Sequence, residues 1–201
     1  MTGMTADLIG GFSDRVLASQ ATFRAVMDAT ARPGRIQPID APVQGPSPLM
    51  PASAALVLTL CDQDTPVWLD TAMASPDVAR WLVFHTSAPI VRDPSQAAFA
   101  LIGDVSGLAS FESFAQGSAD YPDRSTTLII QVETLTDGPS FTLRGPGIDG
   151  TATLNASLTP HIIAALDTNR ALFPRGVDCV LVASDAIVAL PRTTRVTATG
   201  S

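Results

Sequence analysis

The pattern of apolar and polar positions is clearest near the C-terminal end of the chain, at residues 172–196 (LFPRGVDCVLVASDAIVALPRTTRV). An apolar, β-branched run at 177–182 is followed by a polar break at 184–185 and a second apolar run at 187–190. This pattern predicts a β-hairpin that ends at Pro191, which has no N–H for the strand ladder. Because its first strand is apolar on both faces, we expect the hairpin in the interior of a sheet.

The start of the chain predicts a helix followed by a short extended segment at 35–39. Ser13 is a suitable N-cap, Asp14 suits the positive end of the helix dipole, and the Arg32-Pro33-Gly34 sequence marks the end of the helix. Four apolar residues share one face of this helix: Val16, Phe23, Val26 and Met27.

The next blocks predict a loop, a second helix and a strand. Residues 42–51 are rich in Pro, Gly and Ser, which is typical of a surface loop. The intensely apolar run at 54–61 fits a helix buried on all sides or a strand, and Pro51 at the first turn favours the helix. After a turn at 62–66, residues 67–69 predict a strand.

The middle of the chain predicts a third helix and then short elements. Ser75 and Pro76 suit its cap and first turn. Its shared face carries Val78, Trp81, Leu82 and His85. We expect short strands at 89–92 and 98–102, followed by a surface helix at 108–115.

The longest strand signal is TTLIIQVETL at 126–135. The alternating segment at 140–144 follows a Gly-Pro turn, and the two segments together predict an antiparallel pair. A last helix is expected to begin at Thr159-Pro160. Its inward-facing residues would be Ile162, Ile163, Leu166 and Phe173.

Length and the order of elements predict one domain over residues 1–201, with flexible ends at 1–12 and 197–201. The expected architecture is an α/β or α+β three-layer sandwich with a mixed β-sheet between helical layers. Hydrophobic residues make up 46% of the chain, yet no apolar run approaches the ~18 residues that span a bilayer. The N-terminal segment lacks the pattern of a signal peptide, so we expect a cytoplasmic protein without membrane contact.

Charge and residue types exclude several classes of protein. A formal net charge of -7 argues against binding to nucleic acid or to an anionic membrane surface. All twelve basic residues are arginine, so no Schiff base to pyridoxal phosphate and no P-loop lysine is possible. Cys61 and Cys179 are expected to be reduced core thiols, and no cofactor or structural metal is expected.

No complete catalytic motif is present. The sequence has no G-x-G-x-x-G, G-x-S-x-G, H-E-x-x-H or C-x-x-C pattern. His85 and His161 lie at expected helix ends, where structural roles are favoured over catalysis. Asp62 and Asp64 could form a carboxylate pair for acid–base chemistry, although carboxylates in a turn more often accept backbone N–H groups.

Arginines beside strand ends and turns form the other candidate site. They are Arg144, Arg175, Arg192 and Arg195, and Thr193 follows the third of them. Planar guanidinium groups in such places could hold a phosphate or phosphonate group through paired hydrogen bonds. The alternative is ion pairing with the nineteen acidic residues.

Several stretches together resemble the phosphonate-metabolism family PhnH, the H subunit of the bacterial carbon-phosphorus lyase core complex. The matching stretches, in the order of the family, are Phe23-Arg24 with Met27 and Pro33-Gly34, LTLCDQDTPVWL (58–69), FHTSAPIV (84–91), TLIIQV (127–132), GPGI (145–148), FPRGVD (173–178) and LPRTTRV (190–196). No single stretch is specific, but their ordered set spans nearly the whole chain.

The resemblance implies a fold like that of the pyridoxal-phosphate-dependent transferases, without the cofactor. It also implies a homodimer when the subunit is isolated, and association with the G, I and J subunits. In that system the G, H and I subunits, with the L protein, convert ATP and an alkylphosphonate to α-D-ribose 1-alkylphosphonate 5-triphosphate and adenine. The J subunit later breaks the carbon–phosphorus bond. No catalytic residue on the H subunit is implied.

Three hypotheses for the function of the chain follow. The leading one is a scaffold subunit of this multi-subunit transferase, inactive alone, which presents apolar and loop surfaces to its partners. The second is a module that binds phosphate or phosphonate esters through Arg192 and Thr193. The third, an independent hydrolase or transferase, would use His85 with an acidic partner.

Overall fold

The computed structural model describes residues 10–40, 43–108 and 110–199. Among them are four α-helices: α1 (Arg15–Ala31), α2 (Pro51–Leu60), α3 (Pro76–Thr86) and α4 (Pro160–Ala171). The strands are β1 (Gln37–Pro38), β2 (Val67–Leu69), β3 (Ile90–Val91), β4 (Phe99–Ile102), β5 (Thr127–Gln131), β6 (Ser140–Arg144), β7 (Ala152–Asn155), β8 (Asp178–Ala183), β9 (Ala186–Leu190) and β10 (Arg195–Ala198).

The strands form two sheets. Seven of them form a mixed sheet in the order β1-β9-β8-β5-β4-β2-β3. Its five strands from β8 to β3 are parallel, whereas β9 runs antiparallel to both of its neighbours. The other sheet is antiparallel and small, in the order β10-β6-β7.

Apolar side chains cover both faces of the large sheet and create three layers. One core cluster joins α1, α2 and α3 to the sheet through residues such as Leu56, Trp81 and Ile129. A second cluster joins the opposite face to α4 and the small sheet through residues such as Ile130 and Leu143. The chain therefore has the predicted α/β architecture with a mixed sheet, and the small sheet is an addition that the sequence did not reveal.

The predicted hairpin is confirmed as β8 and β9, which pair antiparallel inside the large sheet. Residues of β8 from Cys179 to Val182 are buried, as expected for a strand covered on both faces. Ser184, in the tight turn, has a left-handed backbone with a φ of 50°. The strand β9 ends before Pro191, as predicted. The apolar run ahead of Cys61 is the helix α2, so the preferred interpretation is confirmed there too.

Two predicted elements differ from the structure. The strand expected at 126–135 ends at Gln131 and pairs with parallel neighbours, while Ser140–Arg144 lies in the small sheet. The hydroxyl of Thr134 accepts the N–H groups of two later residues and turns the chain out of the large sheet. The helix expected at 108–115 is replaced by a short 3-10 turn at Phe111–Ser113, although Ala109 lies outside the described residues.

Single residues also depart from expectation. Asp14, not Ser13, is the N-cap of α1, because its carboxylate accepts the N–H of Leu17 at 3.0 Å. Phe173, expected to face inward, is 63% exposed. The flexible ends at 1–12 and 197–201 stay a prediction: β10 continues to Ala198, and residues 1–9, 200 and 201 lie outside the described residues.

Candidate functional site

The side chain of Arg192 makes hydrogen bonds and an ion pair within the chain. Its side chain is 11% exposed, and its guanidinium forms a two-point ion pair with Asp178 at 2.6 and 3.2 Å. The remaining N–H groups donate to Ser125 Oγ and to the carbonyls of Pro122 and Pro174. All five guanidinium donors are therefore used, which counts against Arg192 as an anion-binding residue.

The other arginines of that candidate set lie on the surface. Arg144 and Arg195 face each other across β6 and β10, and neither has an ion pair with a described carboxylate. Thr193 is half-buried, and its carbonyl approaches Gly145, the residue after Arg144. Arg175 is exposed in the loop after α4. These residues lie on neighbouring turns, and the guanidinium of Arg192 fixes one of those turns by donating to the carbonyl of Pro174.

The histidines and the paired aspartates have structural surroundings. His85, in the last turn of α3, packs against Trp81 with ring centroids 4.7 Å apart. His161 has its Nε2 2.8 Å from the carbonyl oxygen of Leu108, so Nε2–H donates there. Asp62 accepts the N–H of Asp64 at 2.9 Å, as expected for a carboxylate in a turn.

A cleft that the sequence did not reveal lies beside the carboxyl ends of β2 and β4. Its volume is about 400 Å³. It is lined by Trp68, Asp70, Thr71, Ala72, Ile102, Asp104, Gly107 and Leu108. Among the described residues, no arginine or histidine lines it. The missed signal is a carboxylate or glycine directly after each of two short strands, in Leu69-Asp70 and Ile102-Gly103-Asp104.

The two carboxylates of this cleft have different roles. Asp70 is buried, and it joins the two strand ends by accepting the N–H groups of Met73, Gly103 and Asp104 at 2.8 to 2.9 Å. Asp104 is at the surface, where its Oδ1 accepts the N–H and hydroxyl of Ser106. The hydroxyl bond and then the N–H bond lower the pKa of Asp104 below its ordinary value, so this carboxylate stays ionised at neutral pH.

The outer face of α1 is a second surface of interest. Val16, Phe23 and Met27 are each at least half exposed, and Leu17 lies next to them. The inner face carries small residues, with Thr22 and Ala29 fully covered. Large apolar side chains thus point outward on this helix, which is the reverse of an ordinary amphipathic helix.

Comparison with known proteins assigns the chain to a family. The family model for the bacterial phosphonate metabolism protein PhnH matches residues 10–197.

The chain belongs to the PhnH family.

Two curated relatives support the assignment. The alpha-D-ribose 1-methylphosphonate 5-triphosphate synthase subunit PhnH of Rhizobium meliloti (strain 1021) is 41% identical over 196 residues, which are 97% of this chain and 98% of the relative. HtxG of Stutzerimonas stutzeri, provisionally named as a C-P lyase subunit, is 30% identical over 184 residues, 90% of this chain and 87% of the relative.

Family membership shows that the ion pair of Arg192 joins two stretches shared with the family. Two of the stretches that carried the PhnH resemblance, FPRGVD and LPRTTRV, meet in the contact between Asp178 and Arg192. In this PhnH chain the contact holds the two stretches together, and the guanidinium of Arg192 has no donor left for an anion. Within the described ranges, no group of three or more His, Cys, Asp or Glu is placed to hold a metal ion. In the same ranges, no helix combines the length and the apolar character needed to cross a membrane.

Proposed function

We propose that this chain is a structural subunit of a carbon-phosphorus lyase core complex. With its partners it would support the transferase reaction that forms α-D-ribose 1-alkylphosphonate 5-triphosphate from ATP and an alkylphosphonate. The similarity to a synthase subunit over 97% of this chain supports the assignment to such a complex. The G, I and J subunits are the proposed partners.

The observation that carries the docking role is the exposed apolar face of α1. Phe23 is 51% exposed and Met27 54% exposed, in a chain whose other large apolar residues mostly lie in two core clusters. Arg24 lies beside Phe23 and has no ion pair with a described carboxylate. A partner surface that is apolar at its centre and acidic at its rim would complement this face.

We propose that the isolated chain has no catalytic activity of its own. His85 packs between aromatic rings, and Arg192 is held in an ion pair, so neither supports an independent hydrolase. The covered seven-stranded sheet is compatible with a fold related to the pyridoxal-phosphate-dependent transferases. Because the sequence contains no lysine, that cofactor could not be held as a Schiff base. We propose that the chain works without a cofactor.

Co-expression with the G, I and J subunits tests this function. The expected result is a stable complex that contains all four chains after affinity purification and gel filtration. Recovery of this chain alone, under conditions in which the other three chains assemble, would contradict the proposal. In isolation the chain is expected to cover its apolar face with a second copy, and sedimentation should then show a homodimer.

A second candidate function is binding of phosphate or phosphonate esters. The observation that favours it is the like-charged cross-strand pair of Arg144 and Arg195, since an anion between them would relieve their repulsion. Calorimetry with a ribose phosphonate ester tests it. A saturable heat of binding that is lost in the Arg144→Gln variant would support this role. If no heat of binding is measured, docking remains the only supported role.

A further inference from the structure

The cleft beside β2 and β4 occupies the place in the sheet where ligands most often bind. From β2 the chain continues to β3 on one side, while from β4 it continues to β5 on the other side. Connections that diverge in this way leave a crevice at the carboxyl ends of the two parallel strands. The crevice between β2 and β4 is the 400 Å³ cleft that contains Asp70 and Asp104.

The carboxyl ends of the next two strands in the sheet, β5 and β8, are covered by another part of the chain. The cleft is therefore not repeated along the carboxyl edge of the sheet. At the end of β5, the side-chain amide of Gln131 accepts the N–H of Met50 at 2.7 Å and donates to the carbonyl of Pro48 at 3.0 Å. At the end of β8, the carbonyl of Ser184 accepts the N–H of Ala52. The segment that leads into α2 therefore covers those two strand ends.

The side chains of the cleft define the chemistry of a ligand. Trp68 is half-buried and is held by an edge-to-face contact with Phe114, with ring centroids 5.4 Å apart. Asp104 uses Oδ1 for Ser106, while its Oδ2 lies close to Gly107, another residue of the cleft wall. The site thus combines an aromatic platform with an ionised carboxylate. Three protein donors reach this carboxylate, the N–H and hydroxyl of Ser106 and the N–H of Gly107, and its two oxygens together keep acceptor capacity for a ligand donor.

We propose that this cleft binds the nucleoside part of a nucleotide, with the base or sugar against Trp68 and a hydroxyl or amino group donating to Asp104 Oδ2. Stacking on an aromatic ring and hydrogen bonds from ribose hydroxyls to a carboxylate are common ways to hold nucleosides. Asp70 would act as a positioning residue, because it joins the two strand ends that form the cleft.

The charge of the cleft excludes the phosphates from its interior. Asp70 and Asp104 are both carboxylates, and the part of the chain that the structure describes contributes no arginine or histidine to the cleft wall. A triphosphate bound inside would therefore meet repulsion without any compensating cation. The phosphates of a bound nucleotide must point away, so the proposed site recognises the neutral part of the molecule. This inference does not depend on the docking role of α1.

Titration of the full-length chain with adenosine, followed by calorimetry, tests the proposal. We expect saturable binding, and at low ionic strength we expect ATP to bind more weakly than adenosine. Asp104→Asn retains an acceptor for Ser106 but removes the charge, and it should raise the Kd for adenosine about tenfold. Gly107→Leu should abolish binding, since a Cβ there would approach only Asp104 Oδ2, at 3.9 Å, and the larger side chain would fill the cleft.

The chain offers a matched control in Asp93. Like Asp104, it caps a short 3-10 turn and accepts both the N–H and the hydroxyl of the serine two residues later, but it lies outside the cleft. Asp93→Asn should leave the Kd unchanged within twofold. The proposal is overturned if adenosine shows no saturable binding up to about 10 mM, if Asp93→Asn weakens binding as much as Asp104→Asn, or if ATP binds more tightly than adenosine.

Discussion

The helices α1 and α2 lie side by side on the same face of the large sheet. However, α2 buries most of its apolar residues, whereas α1 exposes its largest ones. In α2, every residue from Ala52 to Val57 is buried. In α1, which is seven residues longer (17 against 10), only Thr22 and Ala29 are buried, and its largest apolar side chains are exposed. Apolar character alone therefore does not show which residues form the core.

The difference follows from what surrounds each helix. The sheet and the helices α1 and α3 enclose α2, so all of its sides need apolar residues. The outer side of α1 has no neighbour within the described residues. Small residues such as Ala18 and Ala25 let α1 approach the core closely, while Phe23 on the outer side is available to another chain. We propose that α2 belongs to the stable interior and that the outer face of α1 is the surface that binds partner subunits.

The largest expected effect is on the α2 side of this comparison. Leu56 is fully buried, and Leu56→Ala should lower the free energy of unfolding by about 2 to 5 kcal/mol, because it removes buried methyl groups and leaves a cavity. Urea denaturation measures this change. At a protein concentration at which the isolated chain is a monomer, the paired variant Phe23→Ala on α1 should stay within about 0.5 kcal/mol of the unmodified chain. Equal losses in both variants would show that α1 is not a free surface.

A pH effect at the end of α2 is expected next. Burial raises the pKa of the Cys61 thiol to about 12, against 9.0 for an ordinary thiol. Above pH 9 the unfolded chain loses a proton that the folded chain keeps, so stability should fall as the pH rises from about 9 towards 12. The loss is at most about 1.4 kcal/mol per pH unit for each such thiol.

Denaturation at pH 8 and at pH 10 measures the pH effect. Burial also raises the pKa of Cys179, so Cys61→Ala should remove part of the dependence and leave the part due to Cys179. The same pH dependence in Cys61→Ala and in the unmodified chain would contradict the assignment to Cys61.

A smaller effect is expected at the start of α1. Asp14→Ala removes the acceptor for the N–H of Leu17 and should cost about 1 kcal/mol. Asp14→Asn keeps an acceptor and should restore most of this loss. Thermal unfolding of the two variants makes the comparison. If Asp14→Ala were as stable as Asp14→Asn, the cap would not contribute to the stability of α1.

The sequence predicted elements well where the local pattern and the tertiary environment agree. The β8 and β9 hairpin is one example, because its apolar run and polar turn are local signals. The helix α2 is another, since Pro51 marks its start. The failures lie where distant contacts decide the structure. Nothing local shows that Ser140–Arg144 leaves the large sheet to pair with β10, more than fifty residues later in the chain.

For the candidate sites too, prediction from the sequence failed where distant contacts decide the structure. The strand-end position of Arg192 was visible in the sequence, but its contacts with Asp178, Ser125 and Pro122 depend on two distant segments, at 122–125 and at 178. The cleft at Asp70 could not be located, because the strand order that places β2 beside β4 is a property of the whole sheet. The exposure of Phe23 could not be predicted for a similar reason. An apolar helix face has the same sequence pattern whether the core or a partner covers it.

Co-purification of α1 variants with the G, I and J subunits tests the central claim most directly. Phe23→Asp places a charge in the centre of the proposed interface, and the matched control Phe173→Asp alters an exposed phenylalanine in the loop after α4, beyond the opposite face of the sheet. Phe23→Asp should lose the partner subunits, and Phe173→Asp should retain them. At a dilution at which the isolated chain is a monomer, Phe23→Asp should unfold at nearly the same urea concentration as the unmodified chain. Full retention of the partners by Phe23→Asp would contradict the account.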